Sequence, residues 1–159
     1  MYLNRLCLIF LITYACGLGL ALTSMTSVPI TLAGGDEDKI VAALQSETAY
    51  FYRRDSTAWA GQWSHDEGVM KCYVRNGTYS EQLGWDDIRA AALAYMRLHP
   101  QPEPVPTFRP DYTIRITGRG AVVTYVYDDP QRGRKREVRF LVREQGRWKI
   151  AYMSTAYYP

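Results

Sequence analysis

The chain has 159 residues, 47% hydrophobic and 22% charged, which suits one globular domain with a real core and excludes a disordered chain. A formal charge of +3 is too small to mark a nucleic-acid binder, and three cysteines are too few for a disulfide scaffold. Thirteen tyrosines must be housed in a core, a pocket wall or an interface.

At the start, Arg5 precedes the apolar run LCLIFLITYACGLGLAL. A short basic start, an apolar stretch and then small or polar residues describe a secretory signal, with cleavage after Thr23 or Ala33. The rival reading is an uncleaved anchor, because Leu6 to Leu22 is near the lower limit for spanning a bilayer. Residues 1–33 are therefore a signal or an anchor, and residues 34–159 are the domain. The first reading predicts an exported protein, periplasmic or extracellular; the second predicts one held at the membrane by residues 6–22. Tyr14 stands two places before Cys16, where a lipidation site needs a small residue. Beyond the leader only Cys72 remains, which makes neither an internal disulfide nor a cysteine zinc site by itself.

GGDEDK follows, with Asp36 or Asp38 as a helix cap. From Lys39 to about Arg54, Ile40, Ala43, Leu44 and Phe51 recur at helical spacing, with Glu47 set inside the apolar progression. Asp55-Ser56-Thr57 caps a second helix, on which Trp59 and Trp63 would share a face. VMKCYVRNGTYSEQLG predicts a hairpin turning at Asn76-Gly77, where both residues tolerate positive φ. The turn also explains the glycosylation-like Asn76-Gly77-Thr78. Trp85-Asp86-Asp87 opens a third helix, with Ile88, Ala91, Ala92, Tyr95 and Met96 on one face and Pro100 ending it. His99, at that helix's end, is explained by the helix dipole.

QPEPVPTFRP leads into strands. YTIRIT and AVVTYVYDD form one hairpin, and KREVRFLVRE and RWKIAYMSTAYY another. Val138, Phe140 and Val142 share one face; Trp148, Ile150, Tyr152 and Ser154 share one on the last strand. The run RGRKR, Arg132 to Arg136, predicts a solvated hairpin tip. The resulting class is α+β, with three helices packed on a strongly curved antiparallel sheet that closes into a cone.

This order resembles the SnoaL-like branch of the nuclear transport factor 2-like superfamily. The resemblance rests on ALQSETAYFYRRDSTAWAGQWSHDEGV, the small-residue helix after LGWDDI and the ending GRWKIAYMSTAYY, and it covers residues 36 to 157. It implies a cystatin-like cone with a central pocket, often dimeric through the outer sheet face. It does not imply one activity, since the superfamily includes isomerases, cyclases, dehydratases and association domains. The ketosteroid isomerase pattern is not kept: its first-helix tyrosine falls near Glu47 and its aspartate base near Lys71 or Cys72. None of its catalytic residues is carried over.

The residues offer a candidate site of their own. His65 is the acid–base candidate, because imidazole titrates near neutral pH and Trp59 and Trp63 would desolvate it. The plainer alternative has His65 capping the second helix or bonding a backbone carbonyl. Glu47 would need Arg115, Arg75 or His65 as partner if it faces the cone. Trp59, Trp63, Tyr73, Tyr95, Tyr125 and Tyr152 are the candidate ligand contacts, or else core. No metal and no cofactor is expected, since Asp66-Glu67 and Asp86-Asp87 read as turn and cap residues. No phosphate loop or dinucleotide fingerprint is present.

Three functions follow. The first is an exported protein binding a small, largely apolar or aromatic molecule, with a homodimer as its assembly, no nucleic-acid partner, and the membrane as partner only if the leader stays. The second is a small enzyme, a lyase, cyclase or isomerase, using His65 with Glu47 or a pocket tyrosine. The third is a ligand-free dimerisation module.

Overall fold

A computed structural model of the chain describes residues 35–107, 110–129 and 133–158. The signal, anchor and cleavage expectations lie outside the described residues. Among the described residues no helix is long and apolar enough to cross a membrane.

Helix α1 runs Asp36–Arg53. Its cap is Gly35, not Asp36 or Asp38; Asp38 instead reaches back to accept the Gly35 N–H at 3.1 Å. Three acids in the first turn complement the helix dipole. Ile40, Ala43, Leu44 and Glu47 form its buried stripe. Arg54 ends the helix in the left-handed region (φ 63°). Its guanidinium donates to the carbonyls of Phe51 and His99 and pairs with Glu103. One side chain thus ties the end of α1 to the proline-rich crossing.

Helix α2, Ser56–Ala60, is capped by Asp55, whose Oδ1 accepts the Ala58 N–H at 2.9 Å. It is only five residues long, so Trp63 is not on it. Gly61 ends the helix, and residues 62–64 extend instead along Ile150: Ile150 N–H donates to the Gln62 carbonyl and Ser64 N–H to the Ile150 carbonyl, both at 2.9 Å. Trp59 and Trp63 still meet, ring centroids 6.1 Å apart, in the fully buried core with Ile40, Val69, Ile88, Val123, Leu141 and Ile150.

Strands β1 (Met70–Arg75) and β2 (Thr78–Leu83) form the expected hairpin, with positive φ at both Asn76 and Gly77. Helix α3, Trp85–Leu98, buries Ile88, Ala92 and Met96. The remaining strands are β3 (Thr113–Thr117), β4 (Gly120–Asp129), β5 (Gly133–Glu144) and β6 (Arg147–Tyr157). The sheet order is β2-β1-β6-β5-β4-β3.

The sheet is mixed rather than antiparallel throughout. β1 and β6 are parallel, whereas the other neighbours are antiparallel. The cause is the connection: α3 and the crossing carry the chain to the far edge, and the meander then brings β6 beside β1 in the same direction. Lys71 pairs with Met153 and Cys72 with Ser154.

A bulge decides which side chains enter the cone. Phe140 pairs with Tyr152, but Leu141 pairs with Ile150, so Ala151 is an extra residue on β6. Trp148 and Ile150 point inward before it; Met153 and Thr155 point inward after it. Tyr152 and Ser154 therefore do not share the face of Trp148 and Ile150, because the bulge reverses the alternation.

Strand β5 faces opposite to its hydrophobic pattern. Lys135, Glu137, Arg139 and Leu141 are buried, while Phe140 is exposed and Val138 and Val142 are only half-covered. The expected solvated tip is thus corrected at Lys135, which is buried inside the cone.

Candidate functional site

The chamber of the cone encloses about 80 Å³ and opens to solvent. Helix α1 contributes Glu47, Thr48, Phe51 and Tyr52; β1 contributes Lys71 and Tyr73; β5 contributes Lys135, Glu137 and Arg139; and Tyr127, Met153 and Tyr157 complete the wall. The inward positions follow from the registers, Lys71 opposite Met153 and Tyr73 opposite Thr155.

Glu137 is the hub of a buried ion cluster. Its Oε2 accepts hydrogen bonds from Tyr125 Oη (2.6 Å), Arg139 Nε (2.9 Å) and Arg139 Nη2 (2.7 Å). Its Oε1 lies 3.0 Å from Lys135 Nζ. Burial alone would raise its pKa, but Arg139, Lys135 and the Tyr125 hydroxyl outweigh burial and hold the carboxyl at about 2. The reverse holds for Lys135, whose pKa burial lowers against the pull of Glu137. Burial pushes Tyr125 well above the ordinary tyrosine range, so it stays a neutral donor. Lys135 also lies 4.2 Å from the Tyr127 ring centroid.

Glu47 extends the cluster. It is 5% exposed, accepts the Trp59 indole N–H at 2.9 Å, and lies 3.6 Å from Arg139 Nη1. The expected partners Arg115, Arg75 and His65 are thus replaced by Trp59 and Arg139. Arg115 pairs across from Val122 on the outer face, and Arg75 is at the exposed end of β1.

His65 is elsewhere. It is exposed, its Nε2 lies 3.0 Å from the Ala60 carbonyl, and its ring stacks on Trp85 at 4.0 Å. It borders a surface hollow with Ser56, Thr57 and Arg89, not the chamber. The structure therefore does not bring His65 and Glu47 together, and the capping alternative describes His65.

The aromatic candidates divide. Tyr73 lines the chamber. Trp59 and Trp63 are sealed in the core, although Trp59 orients Glu47. Tyr125 stands behind the wall, holding Glu137. Tyr95 stacks on Phe51 at 5.4 Å outside the chamber lining. Tyr152 is on the outer face, its hydroxyl 3.6 Å from Cys72 Sγ. Reading by residue type missed Lys71, Lys135, Glu137 and Arg139. The available signal was the period-two charge pattern of KREVR, which places Lys135, Glu137 and Arg139 on one face.

No protein-family model matches the sequence, and no curated protein matches it. Solved structures do. A candidate dehydratase of the nuclear transport factor 2-like family from Streptomyces avermitilis is 17% identical, with 78% of this chain and 96% of that one aligned at a TM-score of 0.60. A candidate ketosteroid isomerase from Parabacteroides distasonis is 14% identical, with 81% and 92% aligned at 0.58. A cystatin-like fold protein from Burkholderia xenovorans is 19% identical, with 77% and 92% aligned at 0.55. The chain therefore has the nuclear transport factor 2-like, cystatin-like cone fold, as its resemblance implies. The fold carries no single reaction with it.

Proposed function

We propose that the protein binds a small molecule inside the cone, against the aromatic and charged wall of Phe51, Tyr73, Tyr127 and the Lys135–Glu137–Arg139–Glu47 cluster. The cluster itself carries this reading. A buried ion network stabilises a fold no better than apolar packing of the same volume, so its presence around an open chamber points to recognition. The ligand has an aromatic or aliphatic body with a polar group, since the wall is not apolar throughout. The apolar run at Leu6 to Leu22 supports export or anchoring as part of the same proposal.

The enzyme reading has less support. His65 and Glu47 are apart, and Glu137 at about 2 is a permanent anion at neutral pH, not a proton shuttle. The test is thermal stability of the full-length chain against a diverse small-molecule library, beside Thr48→Trp, which fills the chamber. Ligands that raise the melting temperature of the wild type only are expected. Equal shifts in both would place binding outside the cone and end this reading.

A second observation concerns assembly. Val74, Val122, Val126 and Phe140 are exposed together on the outer sheet face, with half-covered Val138 and Val142 beside them. An apolar sheet face of this kind supports a homodimer. Light scattering should give a dimer mass for the wild type and a monomer for Phe140→Asp; a monomeric wild type would refute it.

A further inference from the structure

Lys71 is 8% exposed and lines the chamber. Its ammonium is surrounded by rings, with centroids at 5.4 Å for Tyr73, 5.6 Å for Phe51, 5.8 Å for Trp63 and 6.0 Å for Trp59. Ring faces attract a cation but carry no net charge. Among the described residues, no carboxylate lies within ion-pair distance of it; the ion pairs of Glu47 and Glu137 go to Arg139 and Lys135.

A second cation of the same wall is buried more deeply. Arg139 is 3% exposed, yet its Nη1 makes no hydrogen bond and only the 3.6 Å ion contact with Glu47. The chamber wall thus holds three cations, Lys71, Lys135 and Arg139, against two carboxylates, Glu47 and Glu137. A buried cation without a counter-ion is costly. A ligand that brings one negative charge removes that cost.

Resting on the cone-binding reading, we propose that the ligand is a small monocarboxylate, its carboxylate seated on Lys71, its hydrocarbon or aryl body against Phe51, Tyr73 and Tyr127. One excess positive charge fits a carboxylate monoanion. A phosphate dianion would leave a negative charge buried beside Glu47 and Glu137. The enclosed part of the chamber, about 80 Å³, suits a group the size of acetate, and the opening to solvent leaves room for a longer or aryl body.

The experiment is calorimetric titration of the full-length chain with acetate, benzoate and phenylacetate, each beside its neutral amide, and with inorganic phosphate. At least one acid is expected to bind about tenfold or more tightly than its amide, since hydrogen bonds to a charged partner carry that much discrimination. Lys71→Met should weaken that acid by a similar factor and leave its amide unchanged, and Lys71→Arg should retain the preference. An amide that binds as well as its acid would overturn the carboxylate site and leave the cone reading standing. Phosphate binding in place of every acid would overturn the carboxylate assignment. Binding that survives Thr48→Trp would instead overturn the cone reading, and the proposal with it. The acid–amide comparison needs no variant, so it decides even if Lys71→Met fails to fold.

Discussion

Glu137 sits where its loss would leave Lys135 and Arg139 facing each other with only Glu47 nearby. Glu137→Gln should therefore lower stability by about 3–5 kcal/mol, the usual result of removing one partner from a buried charge cluster; urea unfolding measures it. The same residue predicts an acid response. Its folded pKa, about 2, is below the ordinary 4.5, so its stabilisation is complete above pH 4.5 and disappears as pH falls from there toward 2. The urea midpoint should drop across that window, and drop less in Glu137→Gln. His65 predicts the opposite outcome. It is exposed and bonds one carbonyl, so His65→Ala should change the melting temperature little and leave binding of any cone ligand intact. Loss of that binding would return His65 to the site. Residue type singled out His65, the acid–base candidate, and passed over Lys135, because a lysine in RGRKR reads as solvated. Only position within the cone separates the two.

At the level of elements, period and punctuation were legible. The helical spacing of Ile40, Leu44 and Glu47, the Asn76-Gly77 turn and the four late strands are local features, set by φ preference and by which residues recur at three, four or two places. Which face of β5 turns inward was not legible. Val138, Phe140 and Val142 are the more apolar set, yet they face out. A strand's period identifies two faces but does not say which one meets the core. The bulge at Ala151 is equally silent in sequence, since alanine there has no special φ requirement to announce it. Deleting Ala151 should close the bulge and keep Met153 and Thr155 inside, because Ile150 and Tyr152 already pair with the adjacent residues Leu141 and Phe140. Far-ultraviolet circular dichroism should then still show a cooperative, native-like melt; loss of the cooperative fold would show that the sheet needs the bulge itself.

For the whole molecule, length, composition and the order of amphipathic helices and alternating strands determined an α+β cone, and the resemblance pointed to the fold that the solved structures share. Those are properties of segments and of their sequence along the chain, and they survive without knowledge of contacts. Tertiary structure alone decided the chamber. It brought Glu47 from α1, Lys71 from β1 and Lys135, Glu137 and Arg139 from β5 to one wall, and it set His65 and Tyr152 outside it. It also made β1 and β6 parallel neighbours. The period-two spacing on β5 already puts Lys135, Glu137 and Arg139 near one another, but the exclusion of water that strengthens their pairing arises only when elements far apart in sequence close over them.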